Sequence, residues 1–213
     1  MKYSNKNLQA FLNWIIIITF LCSCNGRTAN KDVCKTSYIN AKNRFNKFYT
    51  QKNPVLLSNA LKDVQKSLNC PETRSASIEL KISVLSLLKE YDKAYHFIDS
   101  LEEKDFSKPY KKKMQYNFFK ALSYESKSKI ADRDLYYNKA LVEIETFVDS
   151  QKNIDQEAYY ELFMVKSRLL SSEQISDEIN ILKIKYPTDK IFFEALKESF
   201  NEKVKQVTIQ RVD

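Results

Sequence analysis

The chain has one glycine among its 213 residues, Gly26. Hairpins of β-sheets lean on glycine for positive φ, and phosphate-cradling or dinucleotide-binding loops need it where the backbone approaches a ligand. An all-β fold, a P-loop and a dinucleotide fingerprint are therefore disfavoured. Histidine is equally scarce, with His96 alone. A zinc site of His and Cys ligands, or a His-Asp-Ser relay, lacks parts. Flanked by Tyr95 and Phe97, His96 reads as a partly exposed packing residue. Acids do occur in pairs, at Glu102 with Glu103 and at Asp155 with Glu157. Carboxylate catalysis needs two such groups facing across a cleft, one of them in an apolar setting. These pairs fall at helix ends instead, where acids favour the N-terminal dipole. No catalytic residue, metal ligand or cofactor is assigned, and the chain reads as a non-enzyme.

The N-terminus carries Lys2 and Lys6 without an acid, then an apolar run from Trp14 to Cys22. A membrane-spanning helix needs about 20 apolar residues. The run is about half that length, which is the pattern of a secretory signal core. It ends in Leu21-Cys22-Ser23-Cys24, which resembles the lipobox of bacterial lipoproteins: a branched apolar residue, two small residues, then the acylated cysteine. Cys22 is an unusual middle residue for that box. The resemblance implies a signal peptide over 1–23, cleavage before Cys24 and a lipid on Cys24. The alternative is an ordinary signal peptide whose cysteines are incidental. In lipoproteins, Asp after the lipid cysteine favours inner-membrane retention, and this chain has Asn25. The resemblance thus implies the outer membrane, and the absence of an acidic run over 25–30 implies a domain facing the periplasm.

Loss of residues 1–23 leaves 190 residues, enough for one domain with a real core. The formal charge falls from +8 to +6 as Lys2 and Lys6 depart. A basic chain invites a nucleic-acid reading, but export removes that partner. The charge then favours anionic envelope surfaces or acidic partners. Its interleaving with Asp and Glu is also the pattern of plain solvated helix faces.

Residues 24–31 read as a flexible tether, residues 32–204 as a helical domain and residues 205–213 as a tail. Apolar positions recur at three and four residues through the domain. A first helix is expected over Asp32 to Gln51, with Tyr38, Ala41, Phe45, Phe48 and Tyr49 on its stripe. Asn53 caps and Pro54 opens a second, striped by Leu57, Ala60, Leu61, Val64 and Leu68. Ser75 or Ser77 caps a third carrying Ile78, Ile82, Leu85 and Leu88, and Asp92 starts a fourth carrying Ala94, Ile98 and Leu101. A fifth follows Pro109, with Met114, Phe118, Ala121, Leu122 and Tyr124 inward; a sixth takes Tyr137, Ala140, Leu141, Ile144 and Phe147. The seventh has Tyr159, Leu162, Val165 and Leu169, and the eighth Ile175, Ile179 and Leu182 before Pro187. A ninth carries Phe192, Phe193, Leu196 and Phe200.

Tyr91-Asp92-Lys93-Ala94, followed by Ile98 and Leu101, resembles the Tyr-x-x-Ala that opens the second helix of a tetratricopeptide repeat. Ala121 and Tyr124 with Tyr137 and Ala140, then Tyr159 and Leu162 with Ile175, Ile179, Leu182 and Pro187, resemble further units. Asn53 to Pro71 looks like the second helix of a degenerate first unit. The usual first-helix glycine is absent, Arg133 stands where Ala94 stands one unit earlier, and the spacing is nearer 40 than 34 residues. The resemblance implies a right-handed α-solenoid of about nine helices in hairpins; another α-solenoid or a bundle is the alternative.

With Cys22 leaving and Cys24 lipidated, Cys34 and Cys70 remain. The first hairpin turns near Lys52 and Asn53, so the two cysteines lie at the same end of antiparallel helices. An oxidising compartment would join them, closing a loop equivalent to roughly 3 to 4 kcal/mol of chain entropy. Two separate buried or reduced thiols are the alternative. Of the 13 Tyr and 13 Phe residues, most are assigned to core. Off-stripe Tyr95, Tyr110, Tyr116, Tyr136 and Tyr160, with the basic run Lys111, Lys112 and Lys113, are the candidate binding surface. The expected function is a lipid-anchored module holding a protein or peptide partner in the envelope, without nucleic acid. A helical carbohydrate-binding or hydrolysing protein is the alternative.

Overall fold

Helix-period apolar spacing, interrupted by prolines and polar caps, governs the architecture. A computed structural model describes residues 32–209, with side chains described through residue 200. Every regular element among the described residues is helical. They are α1 (32–51), α2 (Pro54–Ser67), α3 (Arg74–Leu87), α4 (Tyr91–Asp99), α5 (Lys111–Ser126), α6 (Ile130–Ser150), α7 (Gln156–Lys166), α8 (Ser172–Lys185) and α9 (Lys190–Ile209). Single 3₁₀ turns cover Glu103–Asp105 and Pro187–Asp189. No described helix is long and apolar enough to cross a membrane. Residues 1–31, including Cys24 and the expected signal and tether, lie outside the described residues.

The chain divides into two compact units at Lys89 and Glu90. In the first, α1, α2 and α3 share a core of Ala41, Leu57, Ala60, Val64, Leu80 and Val84, with Tyr38, Phe45 and Phe48 packed half-buried against it. Tyr49, expected on the stripe, is half exposed and packs its edge on Phe45 and Phe48. Asn53 caps α2 by accepting from the Val55 N–H at 3.0 Å, and Pro54 occupies the first turn where no N–H is needed. The cap of α3 differs from the Ser75 or Ser77 expected. Thr73 stands at the cap position, its hydroxyl donating to the Ser67 carbonyl at 2.9 Å. Ser77 is buried one turn inside, sharing a 2.7 Å hydrogen bond with Ser67. A buried hydroxyl needs such a partner, and this one serves packing rather than capping. Arg44 of α1 donates to Asp63 of α2 at 2.9 Å.

The second unit is a run of antiparallel neighbours in which α5 packs on α4 and α6, α6 on α7, and α8 on α9. Its core includes Ile98, Met114, Phe118, Leu122, Tyr137, Ile144, Leu162, Phe163, Ile179 and Phe193. One alanine is fully buried in each of α4, α5, α6 and α7: Ala94, Ala121, Ala140 and Ala158. Small side chains at those points let the backbones approach. Asp155 caps α7 through the Ala158 N–H at 3.1 Å, and Ser171 with Gln174 forms a capping box on α8. Leu169 lies beyond the end of α7 rather than on its stripe.

Without glycine, the sharp exits from α1, α3 and α5 fall on Lys52, Lys89 and Ser128, each at φ of 52° to 56°. After α5 the Ser128 N–H meets the Glu125 carbonyl at 3.0 Å and the Lys129 N–H meets that of Tyr124 at 3.0 Å. These two bonds satisfy carbonyls the helix end would otherwise leave unpaired.

Candidate functional site

The eight residues proposed for a binding surface separate into three environments. Tyr110 and Lys111 are a correction: they are buried, 3% and 4% exposed. The Tyr110 hydroxyl donates to Glu161 at 2.5 Å and its ring lies 4.6 Å from that of Phe147. Lys111 donates to Glu157 at 2.5 Å and reaches Glu161 at 3.7 Å. Lys108 joins from the preceding loop, donating to both Asp155 oxygens and to Glu157 within 2.8 Å. The acids at the start of α7 thus draw Lys111 inward and lock α5 against the α7 N-terminus. Lys112 is half-buried and donates to the Leu101 carbonyl, while Lys113 stays exposed. The separation of 46 positions between Lys111 and Glu157 hides this pairing from any local reading.

Charge in this latch is set by its partners. Burial works against the Lys108 ammonium, yet hydrogen bonds to Asp155 and Glu157 hold its pKa above the ordinary lysine value. The Lys108 and Lys111 hydrogen bonds hold Glu157 below the ordinary carboxylate value. Asp155 is also held low: burial opposes its charge, but Lys108 and the Ala158 N–H outweigh it. Burial first, then the Glu161 hydrogen bond, pushes Tyr110 well above the usual phenol value.

Tyr160 is 41% exposed, with its ring 6.1 Å from Phe200. It stands apart from the remaining three. Those three, Tyr95 on α4, Tyr116 on α5 and Tyr136 on α6, converge around Lys120, and Tyr124 joins through the Tyr136 ring. All five side chains are partly exposed. The Lys120 ammonium lies 5.7 Å from the Tyr95 ring centroid, 5.2 Å from Tyr116 and 4.6 Å from Tyr136, and donates to the Tyr116 hydroxyl at 3.0 Å. That hydrogen bond, against a smaller cost of burial, raises the Lys120 pKa and keeps it cationic. Tyr95 meets Tyr116 edge-on at 5.8 Å, and Tyr124 lies near-parallel to Tyr136 at 5.5 Å. Two more lysines cover the margin, Lys139 over Tyr136 at 4.7 Å and Lys129 over Tyr124 at 5.9 Å. Cation–π contacts of this kind contribute about 0.5 to 1 kcal/mol when exposed.

Lys120 and Tyr124 were not among the expected site residues. Tyr124 was expected inward, but Met114, Phe118 and Leu122 fill that face of α5. Tyr116, Lys120 and Tyr124 stand four residues apart, one above another on the opposite stripe, and that spacing was the available signal. His96 is exposed and packs on Tyr95 at 4.3 Å between ring centroids.

A depression lies between α6, α7 and α8, lined by Tyr159, Phe163 and Lys166. Its lysine is neutralised by Glu178 at 2.6 Å and Glu145 at 3.2 Å. No group of three or more potential metal ligands occurs among the described residues. Cys34 and Cys70 are joined as a disulfide, with their Cα atoms 6.0 Å apart. The chain matches no family model, no curated protein and no solved structure.

Proposed function

We propose that this chain is a lipid-anchored, periplasm-facing interaction module of the outer membrane, whose tetratricopeptide-like helical hairpins present a protein-binding surface. The anchor rests on Lys2, Lys6, the apolar run and Leu21-Cys22-Ser23-Cys24. Support for the repeat reading comes from the fully buried alanines and from left-handed exits at Lys52, Lys89 and Ser128, recurring at intervals of 37 and 39 residues. Stacked hairpins meet at small residues and repeat their turns. The observation that carries the function is the cluster of Tyr95, Tyr116 and Tyr136 around Lys120, extended by Tyr124 against Tyr136. Tyrosine is enriched in binding hot spots, and these rings stay partly exposed rather than being consumed by the core.

A photo-cross-linking residue at position 136 of the full chain, in intact cells, tests this reading. The expected result is a discrete adduct that disappears when Tyr95 and Tyr116 are both changed to Ala. No adduct, or the same adduct from position 173 on the exposed start of α8, would overturn the interaction reading. In the same cells Cys24→Ala is expected to move the protein from the membrane to the soluble fraction.

A further inference from the structure

We infer that the tyrosine and lysine cluster on α4, α5 and α6 recognises an acidic segment of a partner protein, using Lys120 and Lys139 as its carboxylate contacts. The inference rests on the interaction reading above and adds the chemistry of the partner. Its basis is a contrast in how lysines are neutralised. Lys108, Lys111 and Lys166 each meet two carboxylates, and Lys183 of α8 meets Glu194 of α9. At the edge of the cluster Lys127 meets Asp92 at 2.9 Å, and Asp92 is further held by the Ser123 hydroxyl at 2.6 Å. Among the described residues, no carboxylate lies within ion-pair distance of Lys120, Lys129 or Lys139. Their contacts are tyrosine rings, which attract a cation without cancelling its charge. The surface therefore keeps a local positive excess, pinned in place by aromatic groups.

Geometry limits what can satisfy that excess. Lys120 and Lys139 lie 4.6 and 4.7 Å from the same Tyr136 centroid. The two ammonium groups are therefore no more than about 9 Å apart, and carboxylates on alternate residues of an extended segment, roughly 7 Å apart, match a spacing of that order. A neutral sugar would need an open ring face for stacking. Tyr136 already carries two ammonium groups and the near-parallel ring of Tyr124, while Tyr95 and Tyr116 carry Lys120 and each other. Contacts to an incoming anion remain the unfilled capacity: an ammonium has three donors, and Lys120 directs two of them at Tyr116 and Tyr136.

Fluorescence anisotropy with a labelled, end-blocked heptapeptide of alternating Glu and Leu, added to the full chain at low salt, tests the inference. Binding is expected to saturate, to weaken about tenfold in Lys139→Met and in Lys120→Met, and to fall with added salt. Lys139 is exposed, so its variant keeps the fold; circular dichroism checks both. Equal binding of a Gln-Leu peptide, equal affinity in Lys139→Met and the parent, or preference for a neutral N-acetylglucosamine oligomer would overturn it. Absence of peptide binding with the position-136 adduct intact overturns the acidic class alone. Absence of both overturns the interaction reading beneath it.

Discussion

Lys111 Nζ lies 2.5 Å from Glu157 Oε1, with 5% of the lysine side chain exposed against 51% of the glutamate's. That asymmetry decides what each substitution does. Breaking a buried pair by removing one partner costs about 3 to 5 kcal/mol when the other charge stays trapped. Glu157 can rehydrate, and Glu161 retains the Tyr110 hydroxyl. A smaller loss of about 2 kcal/mol is therefore expected for Lys111→Ala in urea denaturation, part of it from the missing stem. Lys111→Met keeps the stem and should lose about half as much. Glu157→Gln, solvent-screened, should cost under about 1 kcal/mol. Midpoints unchanged in both lysine variants would show that the latch does not hold α5 to α7.

The same latch predicts an acid limb of stability. Asp155 and Glu157 have lowered pKa values in the fold. Their stabilisation is complete above the ordinary carboxylate range and is lost as pH falls through that range toward the depressed folded values. Lys108 is raised, so its contribution is complete below the ordinary lysine value and is lost only as pH rises through the higher folded one. A plateau across neutrality follows, with loss beginning below about pH 5. In Asp155→Asn with Glu157→Gln the acid limb should flatten, since Asn preserves the cap while removing the charge. Parallel acid limbs in parent and variant would place the acid sensitivity elsewhere.

Much of this was written locally in the chain. Asn53-Pro54, Asp155 and Ser171 mark helix starts because capping chemistry spans only a few residues, and the stripes through Leu57, Met114 and Ile179 follow helix period. Lys111 to Lys113 could not be read that way. Three consecutive lysines look solvated until α7 brings Glu157 and Glu161 to the first of them across the fold. The aromatic cluster was half legible. Tyr95, Tyr116 and Tyr136 stand off the apolar stripes, but their meeting at Lys120 depends on the packing of three helices.

The exit from α5 carries a removable cost. Ser128 sits at φ 56°, a conformation in which a Cβ is crowded and glycine is not. Its N–H and that of Lys129 close the helix regardless of side chain. Ser128 is exposed, so nothing is lost from the core. Ser128→Gly is expected to raise stability by about 0.5 to 1 kcal/mol, the relief of strain exceeding the added freedom of the unfolded chain. Ser128→Val should lower it by at least as much. A neutral or harmful glycine substitution would mean that the turn, rather than the residue, absorbs the strain.

Cys34 and Cys70, 36 positions apart in sequence, close a loop around the turn between α1 and α2. Chain entropy for that length corresponds to about 3 to 4 kcal/mol, acting on the unfolded state. Both positions are nearly buried, so Cys34→Ala with Cys70→Ala keeps apolar contacts while removing the link. The double variant should have a lower urea midpoint and a steeper dependence on urea, because an uncrosslinked unfolded chain exposes more surface. Loss of stability with an unchanged slope would instead locate the effect in native packing. Non-reducing peptide mapping of the parent supplies the control: free thiols at both positions would remove the premise, and an intact linked peptide together with the steeper slope would show a staple acting through the unfolded state.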